Sequence, residues 1–265
     1  MSAHAPEEAG VQPVAASRRG ALVVGASSGI GASIVRRLAS EGYAVAALAR
    51  RQAALDELER ECRGICERSG GEVLVRAHDV VNAAEVPALF EELVQRLGSL
   101  ELVVFAAGIM PAIGPDEFDT GKDLEILAVN LGGCVAWLNP TAEFFQSQRS
   151  GTIVGVSSIA GDRGRRGNPA YCTSKAAMNT YLEALRNRLG PHGVHVCTIR
   201  PGFVDTAMVQ GMDGLFWLIG ADQAAESILK AARSKANVRY VPFRWMWVGL
   251  VLRCIPSFFF RRLSI

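Results

Sequence analysis

Ala21-Leu22-Val23-Val24-Gly25-Ala26-Ser27-Ser28-Gly29-Ile30-Gly31 is the stretch on which the reading of this chain turns. Four apolar residues make a short buried strand, and Ile30–Ser40 continues with helical spacing. Glycines between a strand and a helix let the backbone turn tightly and approach a diphosphate, whose charge sits on helix N–H groups. The spacing is G-x-x-x-G-x-G, not G-x-G-x-x-G. A plain turn is the alternative, but the strand before and the helix after favour phosphate binding by Gly25, Ser27, Ser28, Gly29, Ile30 and Gly31.

The same alternation continues downstream. Further strands are expected at Ala44–Leu48, Glu72–Ala77, Leu102–Ala106, Thr152–Val156, His195–Ile199 and Arg239–Val241. Helical patterns fall between them, among them Ala53–Arg68, Ala84–Leu97, Cys134–Gln148 and Pro169–Leu189. Strand-helix alternation predicts an α/β fold: one doubly wound Rossmann-type domain with a parallel sheet of about seven strands and helices on both faces. We place this domain at 19–241, after a flexible arm at 1–18 that lacks the apolar core of a signal peptide, and before a hydrophobic, arginine-containing extension at 242–265.

Composition narrows the function classes. A chain of 265 residues, 49% hydrophobic and 20% charged, is globular, and a net charge of +2 argues against a nucleic-acid partner. The charge is uneven, because no acid follows Glu226 while eight Lys and Arg do; the rest carries 20 basic against 26 acidic residues. Six scattered cysteines without a C-x-x-C pair read as reduced thiols in a cytoplasmic protein, with no metal site.

The second strand runs out into Leu48-Ala49-Arg50-Arg51. A site for NAD places an acid here, against the ribose hydroxyls. Two arginines suit the 2′-phosphate of NADP instead, unless they are a solvated charge pair at a helix start.

Further on, Asn168-Pro169 reads as an N-cap and first helical residue, so a helix begins just before Tyr171, and Gly190-Pro191 ends it. Residues four apart share a helix face, which puts Lys175 beneath Tyr171. An adjacent ammonium and a helix N-terminus both favour the phenolate, bringing the tyrosine toward working pH as an acid or base. Ser158, thirteen residues upstream, can hydrogen-bond a substrate oxygen. A Tyr-x-x-x-Lys spacing alone also occurs on ordinary amphipathic helices.

These motifs, in this order, resemble the short-chain dehydrogenase/reductase family over residues 20 to about 210: Gly25-x-x-x-Gly29-x-Gly31, Asp79, Asn130, Ser158, Tyr171-x-x-x-Lys175, and Pro201-Gly202 followed by Thr206. The resemblance implies roles. Asp79 and Val80 would lie at the adenine, and Ala107 and Gly108 beside the cofactor. Asn130 would hold a water linking Lys175 to solvent, and Lys175 would bind the nicotinamide ribose. Pro201, Gly202 and Thr206 would line the nicotinamide. Tyr171 would be the acid/base and Ser158, rather than Ser157, the partner of the substrate oxygen. The cofactor would be NADP(H), and a homodimer or homotetramer would form through Cys134–Gln148 and Pro169–Leu189. Two departures stand out: Val24 where the family has threonine, and Phe105-Ala106-Ala107-Gly108 where it has Asn-Asn-Ala-Gly.

The segment from Ala207 to Ile219 follows Thr206 and is rich in Met, Phe and Trp. It is either an adaptable wall for a lipophilic ketone or alcohol, or core packing. The arginines of Asp162-Arg163-Gly164-Arg165-Arg166-Gly167 are expected in a solvated loop, although they could meet an acidic substrate. In the tail, aromatics and arginines alternate without acids, which suits either peripheral membrane contact or docking on protein. The reading is thus an NADP(H)-dependent oxidoreductase, with a catalytically idle NADP-binding protein as its rival.

Overall fold

The computed structural model describes residues 18–114, 116–212 and 214–263, so the arm expected at 1–18 lies, but for Arg18, outside the described residues. Seven parallel strands form the central sheet: β1 (Gly20–Val24), β2 (Ala44–Ala49), β3 (Glu72–Ala77), β4 (Leu102–Phe105), β5 (Gly151–Val156), β6 (Val194–Pro201) and β9 (Val238–Val241). A small parallel pair, β7 (Val204–Asp205) and β8 (Ile219–Gly220), stands apart from it. The order β3-β2-β1-β4-β5-β6-β9 reverses direction between β1 and β4. Crevices at such reversals, beyond the carboxyl ends of the strands, are where doubly wound sheets bind ligands.

Both faces of the sheet are apolar, because each strand sends alternate residues to opposite sides. Ala21 and Val23 face a core built with α1 (Gly29–Ser40), α2 (Gln52–Ser69) and α7 (Ala221–Arg233). Leu22 and Val24 face the other core, built with α3 (Val86–Leu97), α5 (Gly133–Gln148) and α6 (Pro169–Leu189). Of the positions that depart from the family pattern, Val24 and Phe105 are fully buried in this second core, while Ala106 is partly buried against the first. Apolar contact has thus taken the place of polar groups at both buried positions.

Every expected strand and helix is present. The structure adds α4 (Thr120–Leu127) and two tail helices, α8 (Trp245–Cys254) and α9 (Ser257–Phe260). Between α4 and α5 the chain makes a π-helical turn at Ala128–Gly132. Such single wide turns re-aim a side chain within an otherwise continuous helix, and this one carries Asn130.

Candidate active site

The carboxyl ends of the strands bring the sequence motifs to one edge. After β1, Gly25 (φ 94) and Gly29 (φ 54) occupy the left-handed region, where a side chain is strained. A Cβ on Gly25 would also lie 2.4 Å from the Ala107 nitrogen. Ser28 precedes α1 without capping it through its side chain, so the first-turn N–H groups of α1 lack a side-chain acceptor and can receive an anion. Arg51 leans over this loop and donates to Ser27 Oγ at 3.1 Å and Ser28 Oγ at 3.0 Å. Arg50 lies 3.7 Å from the Asp79 carboxylate. The cradle therefore fits a dinucleotide whose phosphates meet α1, with Arg51 beside the loop.

Two cofactor-side expectations need refinement. The Val80 side chain is buried in the core, where a Cβ on Gly133 would come within 2.7 Å of it. Only its main chain is left for a ligand. Thr206, by contrast, stands directly across from the loop: a Cβ on Gly29 would lie 2.8 Å from Thr206 Cγ2. The segment after Gly202 thus closes against the diphosphate loop.

The proton-handling residues converge on α6. Asn168 caps it by accepting a hydrogen bond from the Tyr171 N–H at 3.1 Å, and its own amide donates to the Pro111 carbonyl at 3.1 Å. Lys175 Nζ sits 5.7 Å from the Tyr171 ring centre and donates to the Val156 carbonyl, at the end of β5, at 3.1 Å. The N–H of Ile109 donates to Asn130 Oδ1 at 2.7 Å, while Asn130 Nδ2 donates to the Ile109 carbonyl at 3.0 Å and to Ser174 Oγ at 3.1 Å. Ser174 in turn donates to the Tyr171 carbonyl at 2.8 Å. Gly108 packs over this group, for a Cβ there would lie 3.3 Å from Asn130 Oδ1 and 3.4 Å from Lys175 Nζ. Ser158 Oγ accepts from the Ala160 N–H at 3.0 Å, and its own hydrogen is directed at the Tyr171 hydroxyl, where a substrate oxygen could take it up. The neighbouring Ser157 donates to the Lys175 carbonyl at 3.1 Å.

Electrostatics depart from the sequence reading in one respect. The Tyr171 phenol is raised above its ordinary value, not lowered: burial dominates and outweighs the hydrogen bond from Ser158. Burial also depresses the Lys175 ammonium, to about 8, against the opposing pull of Cys134. The ammonium lies over the ring rather than at the hydroxyl, so it does not offset the desolvation of the phenol.

The loop after Ser158 also corrects an expectation. It is not simply solvated. Asp162 has a fully buried side chain and accepts from Arg200 Nη1 at 2.8 Å, from the Tyr240 hydroxyl at 2.7 Å and from Arg253. Arg163 donates to the carbonyls of Leu252, at 2.7 Å, and Ile255, closing the end of α8. The tail is thereby bolted to the loop that carries Ser158. Nothing in the sequence pattern joins Asp162 to residues 38, 78 and 91 positions away. Trp245, also missed, lies on Gly202, where a Cβ would come within 2.0 Å of its indole nitrogen.

Above Tyr171 is the Met208 thioether, 4.0 Å from the hydroxyl. Phe203, Phe216 and Trp217 pack around Trp245 with ring centres 4.8–5.6 Å from it. Among the described residues, no group of three or more His, Cys, Asp or Glu could hold a metal ion.

A half-buried Ser158 with buried Tyr171, Lys175 and Asn130 at the switch-point edge, beside a glycine-lined phosphate cradle, fits a nicotinamide-dependent oxidoreductase site. The sequence model of the short chain dehydrogenases matches residues 19–213, and the chain belongs to that family. A short-chain reductase protein, NovJ, of Streptomyces niveus is 34% identical over 240 residues, covering 87% of this chain and 85% of its own. An uncharacterized oxidoreductase of Myxococcus xanthus is 35% identical over 192 residues, covering 72% and 74%. Among solved structures, ElxO with NADP bound superposes with a TM-score of 0.75 at 20% identity, covering 84% of this chain and 97% of that one. The crystal structure of gox2181 gives 0.76 at 22%, covering 86% and 96%. The protein is thus an oxidoreductase of the short-chain family, acting between CH–OH and C=O with a nicotinamide cofactor.

Proposed function

We propose that the protein is an NADP(H)-dependent reductase that interconverts a lipophilic ketone or aldehyde and its alcohol, with Tyr171 as the acid/base. The observation that carries this reading is the packing of Lys175 Nζ and Asn130 Oδ1 beneath Gly108, next to Tyr171. NADPH, when bound, supplies hydride to the carbonyl carbon. Ser158 donates its hydroxyl hydrogen to the carbonyl oxygen and fixes its position. Tyr171, whose raised pKa keeps the phenol protonated at neutral pH, transfers its proton to that oxygen as charge develops. Lys175 binds the nicotinamide ribose, and the hydrogen bond from Ser158 favours the phenolate left behind. Both Asn130 amide hydrogens are engaged, so the water it serves is held by an oxygen acceptor.

Support for NADP comes from Arg51 at the phosphate cradle and from the absence of an acid after β2. Support for an apolar substrate comes from Met208, Phe203, Phe216 and Trp217 around the site. We further propose assembly as a homodimer or homotetramer through α5 and α6, and a cytoplasmic location.

The test is NADPH oxidation across a panel of hydrophobic ketones and aldehydes, with Tyr171→Phe in parallel. The proposal expects turnover that falls roughly 1000-fold or more in the variant while NADPH binding is retained. Tight NADPH binding with no turnover of any panel member would favour the idle binder.

A further inference from the structure

Helix α8 is apolar on every side, yet only one side is covered. Trp245 and Gly249 face inward and are buried. Gly249 lets the helix approach Asp162, for a Cβ there would come within 2.4 Å of Oδ2. Trp247, Leu250 and Val251 lie on the opposite face, 59%, 51% and 59% exposed. Phe258 and Phe259 of α9 extend the same apolar surface, 49% and 57% exposed. A helix that is hydrophobic all round is ordinarily buried, and exposed apolar surface of this extent marks an interaction site.

The charge around this face identifies the occupant. Arg244 stands over Trp217 at 4.7 Å, and Arg261 and Arg262 over Phe258 at 5.2 and 4.2 Å. No acid follows Glu226 in the sequence, and Asp162, the acid that meets the tail, is buried. An apolar face framed by arginines, with no exposed acid on the segment, complements an anionic lipid surface. No helix among the described residues is long and apolar enough to cross a membrane, so the segment would lie in the interfacial plane.

We propose that α8 and α9 form a monotopic anchor on anionic membrane, with Trp247, Leu250, Val251, Phe258 and Phe259 entering the headgroup boundary. The anchor joins the active site directly. Trp245, the first residue of α8, packs on Gly202 and on Phe216 and Trp217, and that segment reaches Tyr171 through Met208. Met208, Phe216 and Trp217, beside the anchor, are themselves partly exposed, so the mouth of the site borders the bilayer and a lipid-dissolved carbonyl compound enters from it. This second statement rests on the reductase reading; the first does not.

The experiment is flotation of the full chain with vesicles of phosphatidylcholine alone or mixed with phosphatidylglycerol. It compares wild type with Trp247→Glu/Val251→Glu, whose native side chains point outward, with thermal melting as the control that the fold is kept. The proposal expects flotation with the anionic vesicles, weakening as salt rises, and a loss of roughly 100-fold or more in the variant, the factor that burial of two large side chains supplies. No flotation of the intact protein would overturn the anchor. So would a dimer that the variant splits and that floats with neither vesicle, since the face would then join two copies. If the anchor holds, the variant should match wild type on a water-soluble ketone and fall behind on a ketone dissolved in vesicles. Equal rates on both would overturn the entry route while leaving the reductase reading in place.

Discussion

Replacing Lys175 by methionine should stabilise the cofactor-free protein while abolishing turnover. The ammonium is buried, with a single hydrogen bond to the Val156 carbonyl at 3.1 Å, and its pKa falls from 10.5 to about 8. That displacement weighs on the order of 3 kcal/mol against the charged form. Losing the bond to Val156 costs about 1 kcal/mol. The variant should therefore gain about 2 kcal/mol at pH 7. The folded-state value lies below the unfolded one, so between pH 8 and 10.5 the unfolded chain binds more protons. Wild-type stability then rises with pH through that window. Above it both Lys175 forms are neutral, and the advantage should reverse to about 1 kcal/mol in favour of lysine. Urea unfolding of both proteins at neutral and alkaline pH reads this difference, because the other titrating groups are common to both. A variant less stable than wild type at pH 7, or a difference that does not change with pH, would refute the buried-ammonium argument.

Gly108→Val should place methyl groups against Asn130 Oδ1 and Lys175 Nζ, where a Cβ alone already lies at 3.3 and 3.4 Å; steady-state kinetics should show a loss of kcat of about 100-fold with stability little changed. Asp162→Asn should leave Arg200 and Arg253 without their buried counter-charge, costing about 3 kcal/mol or more in chemical denaturation, with kcat falling because the loop of Ser158 loosens. Arg51→Ala should raise the Kd for NADPH by about tenfold or more while leaving NADH nearly unchanged, measured by fluorescence titration; equal losses for both would remove the argument for the 2′-phosphate.

The strands and the two terminal signals of α6 were legible because each is written in a local pattern: alternate burial on two faces, the Asn168-Pro169 start, the glycines at β1. Asn130 was identified through family resemblance, but its π-helical turn was not foreseen, since a single wide turn leaves no mark on a helical periodicity. The direction of the Tyr171 shift was misread because proximity in sequence to Lys175 says nothing about desolvation, and here desolvation dominates. Asp162 looked like one charge in a polar loop. Its burial depends on Arg200, Tyr240 and Arg253 arriving from β6, β9 and α8, a long-range convergence that no window of sequence contains. The same convergence explains why the tail, for which the sequence left membrane contact and docking on protein both open, has one face docked and one exposed.

The central claim is hydride transfer from a nicotinamide to a carbonyl carbon with protonation by Tyr171. NADPH deuterated at C4, in each stereoisomer separately, should be supplied with the ketone that the panel identifies, and the alcohol analysed by mass spectrometry. The account predicts deuterium on the carbinol carbon from one stereoisomer, with the O–H proton drawn from solvent and no labelled product from Tyr171→Phe in the same time. Product carrying no deuterium from either stereoisomer, or labelled product formed as fast by the phenylalanine variant, would contradict it.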